Sequence, residues 1–78
     1  MTLKFLFSHD IYHARTELKL TQQYVSNELG ISLREYQKIE KGETLPRAEL
    51  FLRIIFYFEL DIENYREEVL AHVPVYTS

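Results

Sequence analysis

The chain has no cysteine and only two glycines and two prolines among its 78 residues. Without thiols there is no disulfide staple, no cysteine-built zinc site and no thiol chemistry, a composition that suits the cytosol without requiring it. Two glycines cannot furnish a phosphate-cradling P-loop. No segment approaches the roughly 18 uncharged apolar residues that a spanning helix needs. The first residues also lack a charged lead followed by an apolar run of about 7–15 residues. Neither a membrane span nor a signal peptide is expected, and the cytoplasm is the expected location. Positive charge is scarce as well: nine Lys and Arg stand against twelve Asp and Glu, a formal net of −3. That balance argues against broad, non-specific attraction to nucleic acid.

Apolar mass, by contrast, is ample. Hydrophobic residues make up 46% of the chain, with six tyrosines and five phenylalanines. A chain of this size buries only about 60–65% of its unfolded surface, so it is marginal unless it packs efficiently or oligomerises. One domain over 1–78 is expected, with a core of about 8–71 and tails at 1–7 and 72–78. Charge is unevenly spread. Residues 1–18 are neutral; residues 19–47 carry Lys19, Arg34, Lys38, Lys41 and Arg47 against Glu28, Glu35, Glu40 and Glu43, net +1; residues 48–78 are net −4. An anionic partner must therefore meet the middle of the chain.

Apolar spacing predicts five helices and an all-α fold. The first runs from about 9 to 18 behind Ser8 as N-cap, with Asp10 in its first turn, Phe7 stapled onto Tyr12, and Ile11, Ala14 and Leu18 inward. The second opens at Thr21, buries Val25 and Leu29, and stops at Gly30, the residue that takes a left-handed turn cheaply. The third opens at Ser32, with Glu35 as capping-box partner and Tyr36 and Ile39 inward, and reaches a second stop at Gly42. The fourth starts near Pro46 and reaches about Phe58; Glu49 and Arg53 form its only polar strip, and Leu52 and Phe56 extend the apolar arc past what one small core needs. Asp61 caps a fifth helix over about 62–71, with Ile62, Tyr65 and Val69 inward. The segments Leu3–Phe7 and Val73–Tyr76 are β-prone and suited to pair as a small clip.

Arg15, Gln22, Ser26, Gly30, Ile31, Tyr36, Ile39, Glu40, Gly42 and Pro46 stand at the spacing of a known pattern. In it Arg is followed seven residues later by Gln, then a small residue, Gly, an apolar helix and Glu-x-Gly-x-x-x-Pro. Over about residues 11–65 the chain resembles the Cro and phage-repressor type, or xenobiotic-response-element type, of helix-turn-helix regulators. The resemblance implies a five-helix lambda-repressor-like domain that binds double-stranded DNA and regulates transcription, most simply as a repressor on a palindromic operator. It further implies a structural ion pair between Arg15 and Glu40, and Gln22 in the first turn of helix two as a phosphate contact. Leu33, Arg34, Gln37 and Lys38 resemble the base-reading set, chemically suited to a thymine methyl, guanine and adenine. Lys41 and Arg47 stand where the family clamps the DNA backbone. Lys19 and Glu59 occupy helix ends where the family often has Gly.

Leu52, Phe56, Val69 and Tyr76 are the expected surface for a homodimer. The same residues serve an alternative, in which helix four and the acidic helix five bind a protein partner in an antitoxin-like or adaptor module. No enzyme activity and no cofactor are expected, because no nucleophile–base spacing exists and Glu67 and Glu68 lie on different helical faces. His9 and His13, four residues apart, have a spacing that can hold a metal, yet no third ligand is indicated, and they are read as surface groups. No metal and no membrane contact are expected.

Overall fold

The computed structural model describes residues 2–71. Five α-helices follow one another: α1 (Leu3–Glu17), α2 (Gln22–Leu29), α3 (Leu33–Glu40), α4 (Ala48–Tyr57) and α5 (Arg66–Leu70), the last preceded by a 3-10 turn over Ile62–Tyr65. There is no strand among the described residues. The β-prone segment Val73–Tyr76, with Tyr76 as a surface residue, lies outside them.

The beginning of the chain departs from its sequence-based reading. Leu3–Phe7, expected as a β-prone tail, forms the opening turns of α1, capped by Thr2, whose Oγ1 accepts from the Phe5 N–H at 3.4 Å. Leu3, Leu6, Phe7, Ile11 and Ala14 all face the core. Only a helix puts residues so spaced on one side, so tertiary burial overrides strand propensity. Ser8 is consequently no cap: it is buried within the helix, its Oγ donating to the Phe5 carbonyl at 3.0 Å. Nor does Phe7 staple onto Tyr12, which is exposed. The Phe7 ring packs on Phe51 at 4.5 Å and meets Tyr65 edge-on at 5.8 Å.

At its far end α1 stops at Glu17, with Leu18 as its C-cap and Lys19 turning the chain. Leu18, expected inward, is therefore 57% exposed, while Leu20 packs against the core beneath the turn, as its place after the helix leads one to expect. The last segment departs in a similar way. The tighter 3-10 winding over Ile62–Tyr65 changes the angular phase, so Tyr65 is buried while Ile62 and Val69, also expected inward, are exposed. The other buried hydrophobic residues are Ile11, Val25, Leu29, Tyr36, Ile39, Ile54, Ile55 and Phe58.

Four helices end on one pattern, in which a residue at positive φ turns the chain, and its own amide and the next return to the helix's last carbonyls. Lys19, Gly30, Gly42 and Glu59 hold the left-handed position, at φ of 57°, 75°, 78° and 54°. The amides of Leu20, Ile31, Glu43 and Leu60 close the motif on the carbonyls of Arg15, Ser26, Lys38 and Ile55. Lys19 and Glu59 bear the steric cost that glycine avoids, about 1–2 kcal/mol each. The two glycines differ in surroundings. Gly30 has open space where a Cβ would stand, whereas at Gly42 that atom would come within 3.0 Å of the Phe5 ring and 3.1 Å of Ser8 Oγ. Gly30→Ala is therefore expected to cost about 1 kcal/mol, from φ alone, and Gly42→Ala distinctly more; thermal melts of the pair check this, and equal losses would show that α1 does not press on Gly42.

Candidate nucleic-acid interface

The segment from α2 to the start of α4 is positioned by local signals. Thr21 Oγ1 accepts from the Tyr24 N–H and Ser32 Oγ from the Glu35 N–H, each at 3.0 Å, fixing where α2 and α3 begin. Gly30 and Gly42 fix where they end. Ser26, fully buried on α2, leaves room for α3 to approach. Its hydroxyl donates to its own helix, to the Gln23 carbonyl, at 2.9 Å.

Beneath this unit lies a polar cluster. Arg15 on α1 meets Glu40 at the end of α3 through two parallel bonds, Nε to Oε2 at 2.8 Å and Nη2 to Oε1 at 2.7 Å. The guanidinium also donates to the Leu20 carbonyl at 2.8 Å, and the Tyr12 ring covers it at 5.7 Å. The two side chains are 13% and 4% exposed. Burial alone would raise the Glu40 carboxyl, but the hydrogen bonds from Arg15 and Gln22 and the adjacent guanidinium charge hold it below the usual carboxylate range.

Gln22, at the first position of α2, is half-buried and turned into this cluster. A carboxylate accepts only, so Gln22 presents its Nε2 to Glu40 Oε1 at 3.1 Å, and its Oε1 accepts from Gln37 Nε2 at 3.2 Å. The sequence pattern identified both glutamines as outward contacts but held no signal that they join each other and the ion pair. Tyr36 is fully buried, and its hydroxyl has no partner within hydrogen-bonding geometry. Burial, together with the Glu40 carboxylate nearby, pushes its phenol well above the ordinary range.

The remaining expected contacts occupy the surface. Leu33 and Lys38 are half-buried, Arg34, Lys41 and Arg47 exposed; Lys41 is the C-cap of α3 and Arg47 the N-cap of α4. Arg34, Lys38 and Arg47 come together around one shallow cleft of about 390 Å³, which Ser32, Glu35 and Pro46 also line. Among the described residues, neither Arg34 nor Arg47 makes an ion pair, whereas Arg15, Arg53 and Arg66 are each matched to a carboxylate. Arg53 has a further role that its place on a polar strip did not reveal: Nη1 donates to the Leu29 carbonyl at 3.0 Å, tying α4 to the end of α2.

Adjoining this cleft, with which it shares Leu45 and Pro46, an apolar groove of about 580 Å³ runs between α4 and α5. Leu52 and Val69 line it with Leu3, Phe51, Ile62 and Leu70; Phe56 stands outside it, 76% exposed. No helix among the described residues is long and apolar enough to cross a membrane.

Comparison with known proteins gives a consistent result. Residues 11–64 match the helix-turn-helix family HTH_3. The chain is 39% identical over 50 residues to the cryptic phage CTXphi transcriptional repressor RstR of Vibrio cholerae serotype O1, a match covering 64% of this chain and 45% of that protein. The chain thus spans less than half the length of that relative. No solved structure matches.

Loss of one partner from a buried, hydrogen-bonded ion pair leaves an uncompensated charge, so Glu40→Ala is expected to cost about 3–5 kcal/mol in denaturant unfolding. Because the folded carboxyl lies below its unfolded value of about 4.3, its contribution is present above that pH and lost as acid carries the protein through the lower, folded value. Glu40→Gln should flatten that acid limb. Tyr36→Phe, by removing a buried unpaired hydroxyl worth about 1–3 kcal/mol of desolvation, should melt at or above wild type; a clear drop would mean that the hydroxyl has a partner.

Proposed function

The chain belongs to the helix-turn-helix family, and from that premise we propose that it binds double-stranded DNA sequence-specifically as a homodimer and represses transcription by occluding a promoter. The observation carrying this reading is the unequal pairing of arginines. Those away from α3 are neutralised by carboxylates, while Arg34 and Arg47 share a cleft with Lys38 and have no acidic partner among the described residues. Exposed guanidinium groups that no carboxylate pairs favour an anionic or acceptor-rich surface, which the phosphates and guanine edges of a duplex supply. In this reading Arg34 and Lys38 contact bases, Leu33 touches a thymine methyl, and Lys41 and Arg47 hold the backbone. Gln22 contributes its amide and the N-terminus of α2 to one phosphate, and Gln37, tied to it, reads an adenine edge. The likeness to a protein named as a transcriptional repressor supports the direction of regulation.

Dimerisation through the groove lined by Leu52 and Val69, with Phe56 beside it, would set two α3 helices in successive major grooves about 34 Å apart, on a palindrome with half-sites near 10 base pairs. A second reading, a protein-interaction module, is favoured by the same exposed apolar groove with Glu63 at its edge and Glu67 and Glu68 on α5. Light scattering combined with selection from random duplexes separates the two. A dimer enriching a palindrome supports the repressor; a monomer enriching nothing supports the adaptor. With about four phosphates neutralised per subunit, the logarithmic salt slope of the dimer should be near −7. The Arg34→Ala/Lys38→Ala double variant is expected to lose enrichment while melting as wild type, and retained enrichment would refute the assignment of those two side chains.

A further inference from the structure

We propose that His9 and His13 form a chelating site for a divalent transition-metal ion, of the class of Zn²⁺, Ni²⁺ or Cu²⁺. The two residues lie one turn apart on the exposed side of α1, and the structure turns their rings toward one another. The ring centroids are 4.3 Å apart and the planes 57° from parallel. Their Nε2 atoms come to 3.1 Å. A cation bound at about 2.0–2.1 Å from each imidazole nitrogen separates the two nitrogens by about 3.3 Å at a tetrahedral angle and about 2.9 Å at a right angle. The observed separation, which in the metal-free chain is that of an N–H···N hydrogen bond, lies between these values, so the two nitrogens already stand at the spacing of a metal chelate.

The surroundings orient the donors. Asp10 Oδ1 stands 3.5 Å from His9 Nδ1. An N–H on that nitrogen faces the carboxylate and leaves Nε2 as the lone pair, the tautomer a metal needs. Asp10 is itself held from the far side, its Oδ2 accepting from the Tyr65 hydroxyl at 2.7 Å. The succession from Tyr65 through Asp10 to His9 is thus a supporting shell behind a ligand, built from α1 and the 3-10 turn. Two neutral imidazoles suit borderline cations and offer little to Mg²⁺ or Ca²⁺. Because the described residues contain no group of three or more ligating side chains, the other coordination positions are open to water or an external ligand. No residue of the α3 cleft takes part, so this site stands or falls independently of the proposed DNA interface.

Calorimetric titration of the chelator-treated full chain with Ni²⁺, Zn²⁺ and Cu²⁺ should show one ion per chain, Cu²⁺ bound tightest, and no binding of Mg²⁺. His9→Ala and His13→Ala should each weaken Ni²⁺ binding by about a hundredfold, because the second imidazole then no longer closes an intramolecular chelate. Alanine is favourable at exposed helical positions, so both variants should keep the wild-type melt in the absence of metal. His72→Ala should bind as wild type. Wild-type chain that shows no saturable binding below millimolar Ni²⁺ would overturn the site. So would a His9→Ala/His13→Ala double variant that binds as wild type, or a His72→Ala variant that loses binding to the same degree.

Discussion

The bidentate contact between Arg15 and Glu40 is the constraint on which the rest of the domain depends. It joins residues 25 apart in sequence, and its two partners reach four segments at once: α1, the turn after it through the Leu20 carbonyl, α2 through Gln22, and the end of α3. Apolar packing holds these helices together but is tolerant of sliding and rotation. A guanidinium–carboxylate fork has one good geometry. In a core of this size, with two small helices carrying the proposed function, that directional contact fixes what the greasy contacts leave loose.

The same cluster extends outward. Glu40 accepts from Gln22, and Gln22 from Gln37, so a half-buried glutamine on α3 is tied by successive hydrogen bonds to a pair beneath the surface. Polar groups that share one network do not act additively. Changes at Gln22 or Gln37 are felt at Glu40, and scaffold and surface are less separate than their positions on a helical wheel imply. The proposed division of labour among Arg34, Lys38 and Arg47 rests on the contrast with this network, since those three lie outside it.

Much of the fold is legible in the sequence because its punctuation is local. Thr21, Ser32 and Asp61 cap where their hydroxyl or carboxylate predicts, and Gly30 and Gly42 turn where glycine predicts. The positive φ at Lys19 and Glu59 was legible too, as helix ends that lack the usual residue. The family membership followed from the spacing of these signals. What was not legible depends on tertiary contacts. The segment Leu3–Phe7 has strand-forming residues, and only the partners Phe51 and Tyr65 make its helical face worthwhile. The Gln22–Gln37 bond, the clamp of Arg53 on Leu29 and the hydroxyl of Tyr36 left without a partner arise between elements, where residue spacing along the chain carries no information.

The shared ending of four helices bears on how such a domain can change over generations. For α1, α2 and α3 the boundaries are specified within a few residues, by a side-chain cap at the start and a left-handed turn at the end, while α4 shares only the turn. Helix α3 is held between Ser32 and Gly42, with Tyr36 and Ile39 setting its rotation about its own axis. Arg34 and Lys38, which lie outside the network that ties Gln37 to Gln22 and Glu40, take no part in holding that length or rotation. Those two can be exchanged one at a time while the helix stays in register, so divergence at their positions need not wait for compensating changes beneath them.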